Sequence, residues 1–214
     1  VVDTEKGIIS FYGRKVRDSK RGGYGKISVA KAFEVSSNTG IVKAIHNSYN
    51  DEPSKFVDGL YKMNLNDSLG IPIIGEGKPK IPDPRNKSDW SGIALQWMAY
   101  GYGVRLTPLQ SLAFYNAVAN DGEMVRPRFI KEVREIGAVV ETFDKEVINP
   151  QICSAETIDK LQQLLKNVVE KDHGTGNRMY SEDFSMAGKT GTAQTEYWMD
   201  DWAENRRYVS SFVG

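Results

Sequence analysis

Apolar positions along the chain change spacing several times, and each change predicts an element. Residues 1–27 alternate short apolar pairs with glycine and charge, as in Gly7-Ile8-Ile9-Ser10-Phe11-Tyr12-Gly13 and then Arg21-Gly22-Gly23-Tyr24-Gly25. That pattern predicts a hairpin-like or irregular segment. Ser28 reads as the N-cap of a short helix carrying Val29, Ala32, Phe33 and Val35. Ser36-Ser37-Asn38 interrupts it, because three adjacent residues that bond locally to the backbone favour a turn. A second helix is expected from about Thr39 to Ser48 with Ile41, Val42 and Ile45 on one face, and a third from Pro53 through Phe56, Val57, Leu60, Tyr61 and Met63.

From Asn66 to Trp90 the prolines at 72, 79, 82 and 84 exclude a long helix, so a long loop is expected, followed by a short helical turn over Trp90–Tyr100. Thr107-Pro108 starts a helix and Asn120-Asp121-Gly122 stops it. Met124 to Val147 predicts two or three antiparallel strands with a turn near Gly137. Ser154 caps the most regular helix, with Ile158, Leu161, Leu164, Leu165, Val168 and Val169 in one stripe, and Gly174-Thr175-Gly176 ends it. Phe184–Glu196 and Arg207–Val213 then read as antiparallel partners. No internal repeat and no linker divides the chain, so one domain over 1–214 is expected.

Charge narrows the function classes. Lys+Arg and Asp+Glu balance at 28 each, and without a basic stripe a nucleic-acid partner is not expected. Apolar residues at 40% support a packed core and exclude a disordered or low-complexity chain. No apolar run approaches the ~18–20 residues that cross a bilayer. The single Cys153 excludes an internal disulfide and a cysteine-rich zinc site, and it reads as a buried or strand-end thiol without a cationic neighbour in its own segment. His46 and His173, far apart in sequence, make a histidine metal site a poor reading; His173 is expected as a helix C-terminal residue. The glycines at 22, 23, 25, 174 and 176 lack the strand-to-helix context of a phosphate loop, and no Gly-x-Ser-x-Gly is present. The chain opens on Val1-Val2 without a signal peptide and stops inside the expected strand ending at Gly214, so a piece cut at both ends is expected.

Two small motifs remain, about 150 residues apart: Ser36-Ser37-Asn38 and Lys189-Thr190-Gly191-Thr192. Ser-x-Asn alone carries little information, since Ser48-Tyr49-Asn50 fits it too. Lys-Thr-Gly is scarcer, and Ala187-Gly188 before it with Ala193-Gln194 after it suits a strand whose small residues face a cleft. Helix-stop roles for Ser36 and Asn38, and a solvated strand lysine at 189, are the plain alternatives. Trp90, Trp97, Tyr100 and Tyr102 suit core or loop packing better than a cleft lining. Trp198 and Trp202, with Asp200 and Asp201 between them, suit either an ordinary surface loop or a gate.

These motifs resemble those of the penicillin-binding-protein transpeptidases, which carry Ser-x-x-Lys, Ser-x-Asn and Lys-Thr-Gly. The likeness runs over nearly the whole chain. It includes Ser28 to Asn38, Gly101-Tyr102-Gly103-Val104-Arg105-Leu106-Thr107-Pro108-Leu109-Gln110, Ala119-Asn120-Asp121-Gly122 leading to Arg126-Pro127, and Ala187 to Ala193. The Gly-Tyr-Gly to Thr-Pro-Leu-Gln stretch is similar to class B, the monofunctional D,D-transpeptidases. The resemblance implies an α+β fold of the serine β-lactamase and penicillin-binding kind, with helices packed on an antiparallel sheet, truncated at both ends.

The resemblance also implies a set of roles. Ser36 relays a proton toward the leaving amine, Asn38 bonds the substrate's peptide group, and Lys189 lies beside Ser36. Thr190 and Thr192 bind the substrate carboxylate, Gly191 leaves room for substrate along the strand, and the Thr192 N–H is half of an oxyanion hole. No metal and no cofactor is implied. The implied ligands are peptidoglycan stem peptides and β-lactam antibiotics. Membrane proteins of the division or elongation machinery are the implied partners, on the outer face of the cytoplasmic membrane.

One element of the pattern has no counterpart. The nucleophilic Ser-x-x-Lys is expected about fifty residues before Ser36, ahead of Val1. Ser28-Val29-Ala30-Lys31 matches the letters but lies only eight residues from Ser36, and Ser28 already has a capping role. The polypeptide by itself is therefore expected not to acylate. A D,D-carboxypeptidase or β-lactamase-like hydrolase and a non-catalytic β-lactam-sensing module are the alternatives.

Overall fold

A computed structural model of the chain describes residues 1–195 and 206–214. The backbone divides into two compact units, Val1–Lys43 with Gln162–Gly214, and Ala44–Leu161.

In the first unit β1 (Val2–Asp3) pairs antiparallel with β4 (Lys26–Ile27), and β2 (Ile8–Phe11) with β3 (Arg14–Arg17). Ile9 and Val16 face each other across that hairpin and are both buried while their chain neighbours are more exposed, the alternation expected of a one-sided strand pair. The Ser28 hydroxyl caps α1 (Val29–Glu34), accepting from the Lys31 N–H at 3.0 Å. The helix ends at Val35, and α2 (Asn38–Tyr49) begins three residues on, with Val42 fully buried. The α1–α2 crossing is close: a Cβ on Gly40 would stand 2.8 Å from the Ala32 Cβ.

The stripe on α6 (Ala155–Glu170) behaves as its spacing predicts. Leu165, Val168 and Val169 are buried in this unit. The chain then makes a 3-10 turn at Asn177–Met179. The strand expected from Phe184 begins only at Lys189, as β9 (Lys189–Thr195), and the Gly188 N–H donates instead to the α6 carbonyl of Leu165 at 3.1 Å. Its partner β10 (Arg207–Val213) matches the expected bounds and runs antiparallel from Arg207↔Thr195 to Val213↔Lys189. Among the described residues β9 pairs with β10 alone, so its other edge is open.

The second unit carries α3 (Pro53–Lys62), α4 (Ala94–Ala99) and α5 (Pro108–Ala119), and Val57 of α3, Ile81 of the long loop and Met98 of α4 form a core. Phe56, Leu60, Tyr61, Leu65, Trp90 and Val104 pack on it. Thr107 and Gln110 form a reciprocal capping box at the start of α5. The long loop carries no regular strand or helix; the Glu76 carboxylate accepts from the backbone N–H groups of Leu69, Gly70 and Ile71, and Lys80 bridges to Arg105. The two or three strands expected after Met124 are four short ones in two pairs: β5 (Met124–Val125) with β8 (Val147–Asn149), and β6 (Glu132–Glu135) with β7 (Ala138–Thr142). The latter hairpin turns at Ile136-Gly137, both at positive φ, as a tight two-residue turn requires. Trp97, Tyr100 and Tyr102 pack on one another with ring centroids 5.1–5.7 Å apart, and Trp90 packs on the core.

Candidate active site

The turn between α1 and α2 sets the geometry. The Ser37 N–H returns to the Ala32 carbonyl at 2.8 Å and the Ser36 N–H to that of Phe33 at 3.1 Å. This bond pair forces the residue just past the helix into the left-handed region. Glycine usually fills that position; here it is Ser36, at φ 53°. An L-residue there costs on the order of 1–2 kcal/mol. Ile136 holds the same conformation in a plain hairpin turn, so Ser36 is distinguished by the partner of its hydroxyl rather than by its backbone.

Ser37 does the structural work beside it. Its buried hydroxyl accepts from the Gly40 N–H at 3.0 Å, capping α2, and donates to the Asp18 carboxylate. Asp18 also accepts from the Thr39 N–H at 2.9 Å and the Thr39 hydroxyl at 2.8 Å. A carboxylate beside the first N–H groups of a helix is favoured by their partial positive charge. Asn38 opens α2, and its amide donates to the Arg17 carbonyl at 2.8 Å. The hydroxyl pointed elsewhere is that of Ser36. Lys189 Nζ donates to it at 3.0 Å and to the Thr190 carbonyl at 3.0 Å. The ammonium also sits over the Phe33 ring, 5.7 Å from its centroid, where the ring face is negative. Burial pulls the Lys189 pKa below the ordinary lysine value.

The remaining motif residues follow along β9. Thr190 Oγ1 is 2.6 Å from Thr175 Oγ1. Gly191 lies opposite Ser211, and a Cβ on it would come 2.5 Å from that hydroxyl oxygen. Thr192 is exposed. Successive strand side chains alternate in direction, so Lys189 and Gly191 take one face and Thr190 and Thr192 the other. Both faces adjoin the open edge of β9.

The structure thus brings Ser36 and Lys189 into hydrogen-bond contact. Asn38 is engaged with Arg17 and Thr190 with Thr175. Ser28 is a helix cap with its hydroxyl on the Lys31 N–H. His173 is not a simple helix terminus: it lies beyond the end of α6, with Nε2 2.6 Å from Glu34 Oε2. Burial raises the Cys153 pKa, which keeps the thiol protonated. Among the described residues no cluster of three or more His, Cys, Asp or Glu side chains has the geometry to hold a metal. Trp198 and Trp202, read as either an ordinary surface loop or a gate, lie outside the described residues. Asp18, Glu34 and Thr175 escaped the sequence reading. The paired glycines around Thr175 were the one available signal; Asp18 offered none.

The fold defines the class. The chain superposes on penicillin binding protein 3 of Mycobacterium tuberculosis with TM-score 0.77 and 31% identity, over 96% of this chain and 46% of that one. The ampicillin complex of the same protein superposes with TM-score 0.75, over 96% of this chain and 48% of that one. Helices with antiparallel strand pairs in that arrangement are the α+β fold of these transpeptidase domains. Residues 3–214 match the penicillin binding protein transpeptidase domain, and the chain belongs to that family. Penicillin-binding protein PbpB of Mycolicibacterium smegmatis is 33% identical over 194 residues, 88% of this chain and 29% of that protein. Stage V sporulation protein D of Bacillus subtilis is 28% identical over 211 residues, 98% of this chain and 31% of that protein. The chain therefore spans about a third of the length of the curated relatives it matches.

Proposed function

We propose that this chain forms the proton-relay and carboxylate-docking half of a peptidoglycan D,D-transpeptidase site. The observation that carries the reading is the Lys189–Ser36 hydrogen bond, which joins the two motifs on a strained turn beside an open strand edge. In the reaction, a serine hydroxyl attacks the carbonyl between the two terminal D-alanines of a stem peptide. The amide C–N bond breaks, and the serine proton passes to the departing amine. Ser36 is suited to hand that proton on, because its oxygen accepts from Lys189 and its own proton is free to donate. An acceptor amine from a second stem peptide then takes the acyl group and releases the serine.

Substrate lies along the open edge of β9 as an added antiparallel strand, with the small Gly191 allowing close approach. The Thr190 and Thr192 hydroxyls take its terminal carboxylate, the Lys189 charge draws it in, and Asn38 bonds its peptide group. The Thr192 N–H serves as one oxyanion donor. No metal or cofactor enters this scheme. β-Lactams acylate the same serine. The attacking serine comes from a Ser-x-x-Lys motif, and the capping role of Ser28 argues against Ser28-Val29-Ala30-Lys31 as that motif. The substrate's location sets the enzyme on the outer face of the cytoplasmic membrane, working with membrane proteins of division or elongation. Among the described residues no helix is long and apolar enough to cross a membrane.

A fluorescent penicillin tests this. It is expected to label covalently the protein translated from the complete reading frame and to leave the 214-residue chain unlabelled. No label on the complete protein, or label on the chain alone, overturns the assignment.

A further inference from the structure

We propose that Thr175 is a positioning residue for the ligand carboxylate: its hydroxyl donates to Thr190 and so turns the single Thr190 proton toward the ligand. The inference rests on the reading of Thr190 as a carboxylate dock. The two oxygens are 2.6 Å apart, and geometry alone allows either to donate. A threonine hydroxyl has only one proton. Were Thr190 to donate to Thr175, it would meet an arriving carboxylate with lone pairs alone. With Thr175 as donor the Thr190 proton is free, and the two bonds in series polarise and strengthen each other.

The backbone that carries Thr175 is held on both sides. The Gly176 N–H donates to the Val168 carbonyl at the end of α6 at 2.9 Å, and a Cβ on Gly174 would overlap the same carbonyl. Glycine is needed at 174 for this close approach. The Thr175 N–H donates to the Glu34 carbonyl at 3.2 Å. Glu34 is buried, and its carboxylate accepts from Asn167 Nδ2 at 2.8 Å and pairs with His173 Nε2 at 2.6 Å. A hydroxyl fixed before the ligand arrives loses less freedom when it binds. Glu34 stands two residues before Ser36, so its backbone carbonyl ties the Thr175 N–H to the end of α1 while its carboxylate holds Asn167 and His173.

The test uses the full-length protein and saturation kinetics with a fluorescent penicillin, separating the dissociation constant of the first complex from the acylation rate constant. Thr175→Val keeps the shape and removes the hydroxyl. The dissociation constant is expected to rise about tenfold with the acylation constant nearly unchanged, the size of one charge-assisted hydrogen bond at the low end of its range. Thr175→Ser should restore it, and Thr175→Val combined with Thr190→Val should be no worse than Thr190→Val alone. An unchanged dissociation constant, a loss confined to the acylation step, no rescue by serine, or additive losses would each overturn the role. Those outcomes leave the transpeptidase reading intact, whereas a wild-type protein that takes no label removes that reading and this role together.

Discussion

Lys189 Nζ lies 3.0 Å from Ser36 Oγ, although 153 residues of sequence separate them. The contact joins a strand lysine to a turn hydroxyl, and neither residue has a stabilising reason to prefer the other. A strand lysine would be better hydrated in water, and the turn would be less strained with glycine. In the full-length protein Lys189→Met, which keeps the stem and removes the charge, is expected to slow penicillin acylation by 100-fold or more, about 2.7 kcal/mol of barrier. Label incorporation over time measures it, and unchanged kinetics would take Lys189 out of the site.

Burial lowers the Lys189 pKa from the ordinary 10.5, and the sign of that shift separates activity from stability. As pH rises through the lowered value, the ammonium that donates to Ser36 is lost, so acylation is expected to decline before pH 10.5. Stability moves the other way. Between the lowered value and 10.5 the unfolded chain binds more protons than the folded one, so the Lys189 contribution to stability rises with pH. Acylation rates and thermal melts of wild type and Lys189→Met across pH 8–11 test both limbs; a wild-type profile flat to pH 10.5 contradicts the shift.

Local elements were legible because their causes are local. Ser28, Thr107-Pro108 and the α6 stripe each declare themselves within a few residues, and each forms as expected. The late start of β9 was not legible. It depends on the Gly188 N–H finding an α6 carbonyl, a contact across 23 residues that no window of residues encodes. Ser36-Ser37-Asn38 declared a break but not its form. The left-handed turn at Ser36 requires two returning N–H bonds to α1, and the division of labour between Ser36 and Ser37 depends on Asp18 arriving from the β2–β3 hairpin. The pairing of motifs came from family likeness, while the Thr175 and Glu34 contacts came only from coordinates.

Ser28 offers a control. Its hydroxyl caps α1, and helix-cap serines contribute about 1 kcal/mol. Ser28→Ala is therefore expected to lower stability by about that amount in chemical denaturation while leaving the acylation rate of the full-length protein unchanged. Loss of labelling without loss of stability would restore the Ser28-x-x-Lys31 segment as a candidate nucleophile.

In the second unit, Asp83 carries a different pH signature. The Arg85 side chain holds the Asp83 pKa down to about 2, assisted by the Arg85 N–H and the Tyr61 hydroxyl. A depressed carboxylate stabilises fully above its unfolded value near 3.8 and loses that contribution as pH falls through about 2. Arg85 also reaches Asp58 on α3, tying the long loop to that helix. The stability gap between wild type and Arg85→Met should be constant above pH 4 and shrink from there to pH 2 in urea titrations. A gap that does not shrink would assign the effect of Arg85 to packing on Tyr61 instead.

The turn at Ser36 allows strain and chemistry to be separated. Ser36→Ala and Ser36→Gly both remove the hydroxyl, and both should stall acylation by the full-length protein. They differ only in what the left-handed backbone costs. Alanine keeps the Cβ that crowds the following carbonyl, and glycine does not, so the glycine variant is expected to be more stable than the alanine variant by about 1 kcal/mol. Both variants leave Lys189 with the Thr190 carbonyl as its acceptor, so the comparison cancels the lost hydrogen bond. Denaturant midpoints of the pair measure the difference directly. If glycine proves no more stable than alanine, the turn carries no strain, and a serine at this position needs no functional explanation.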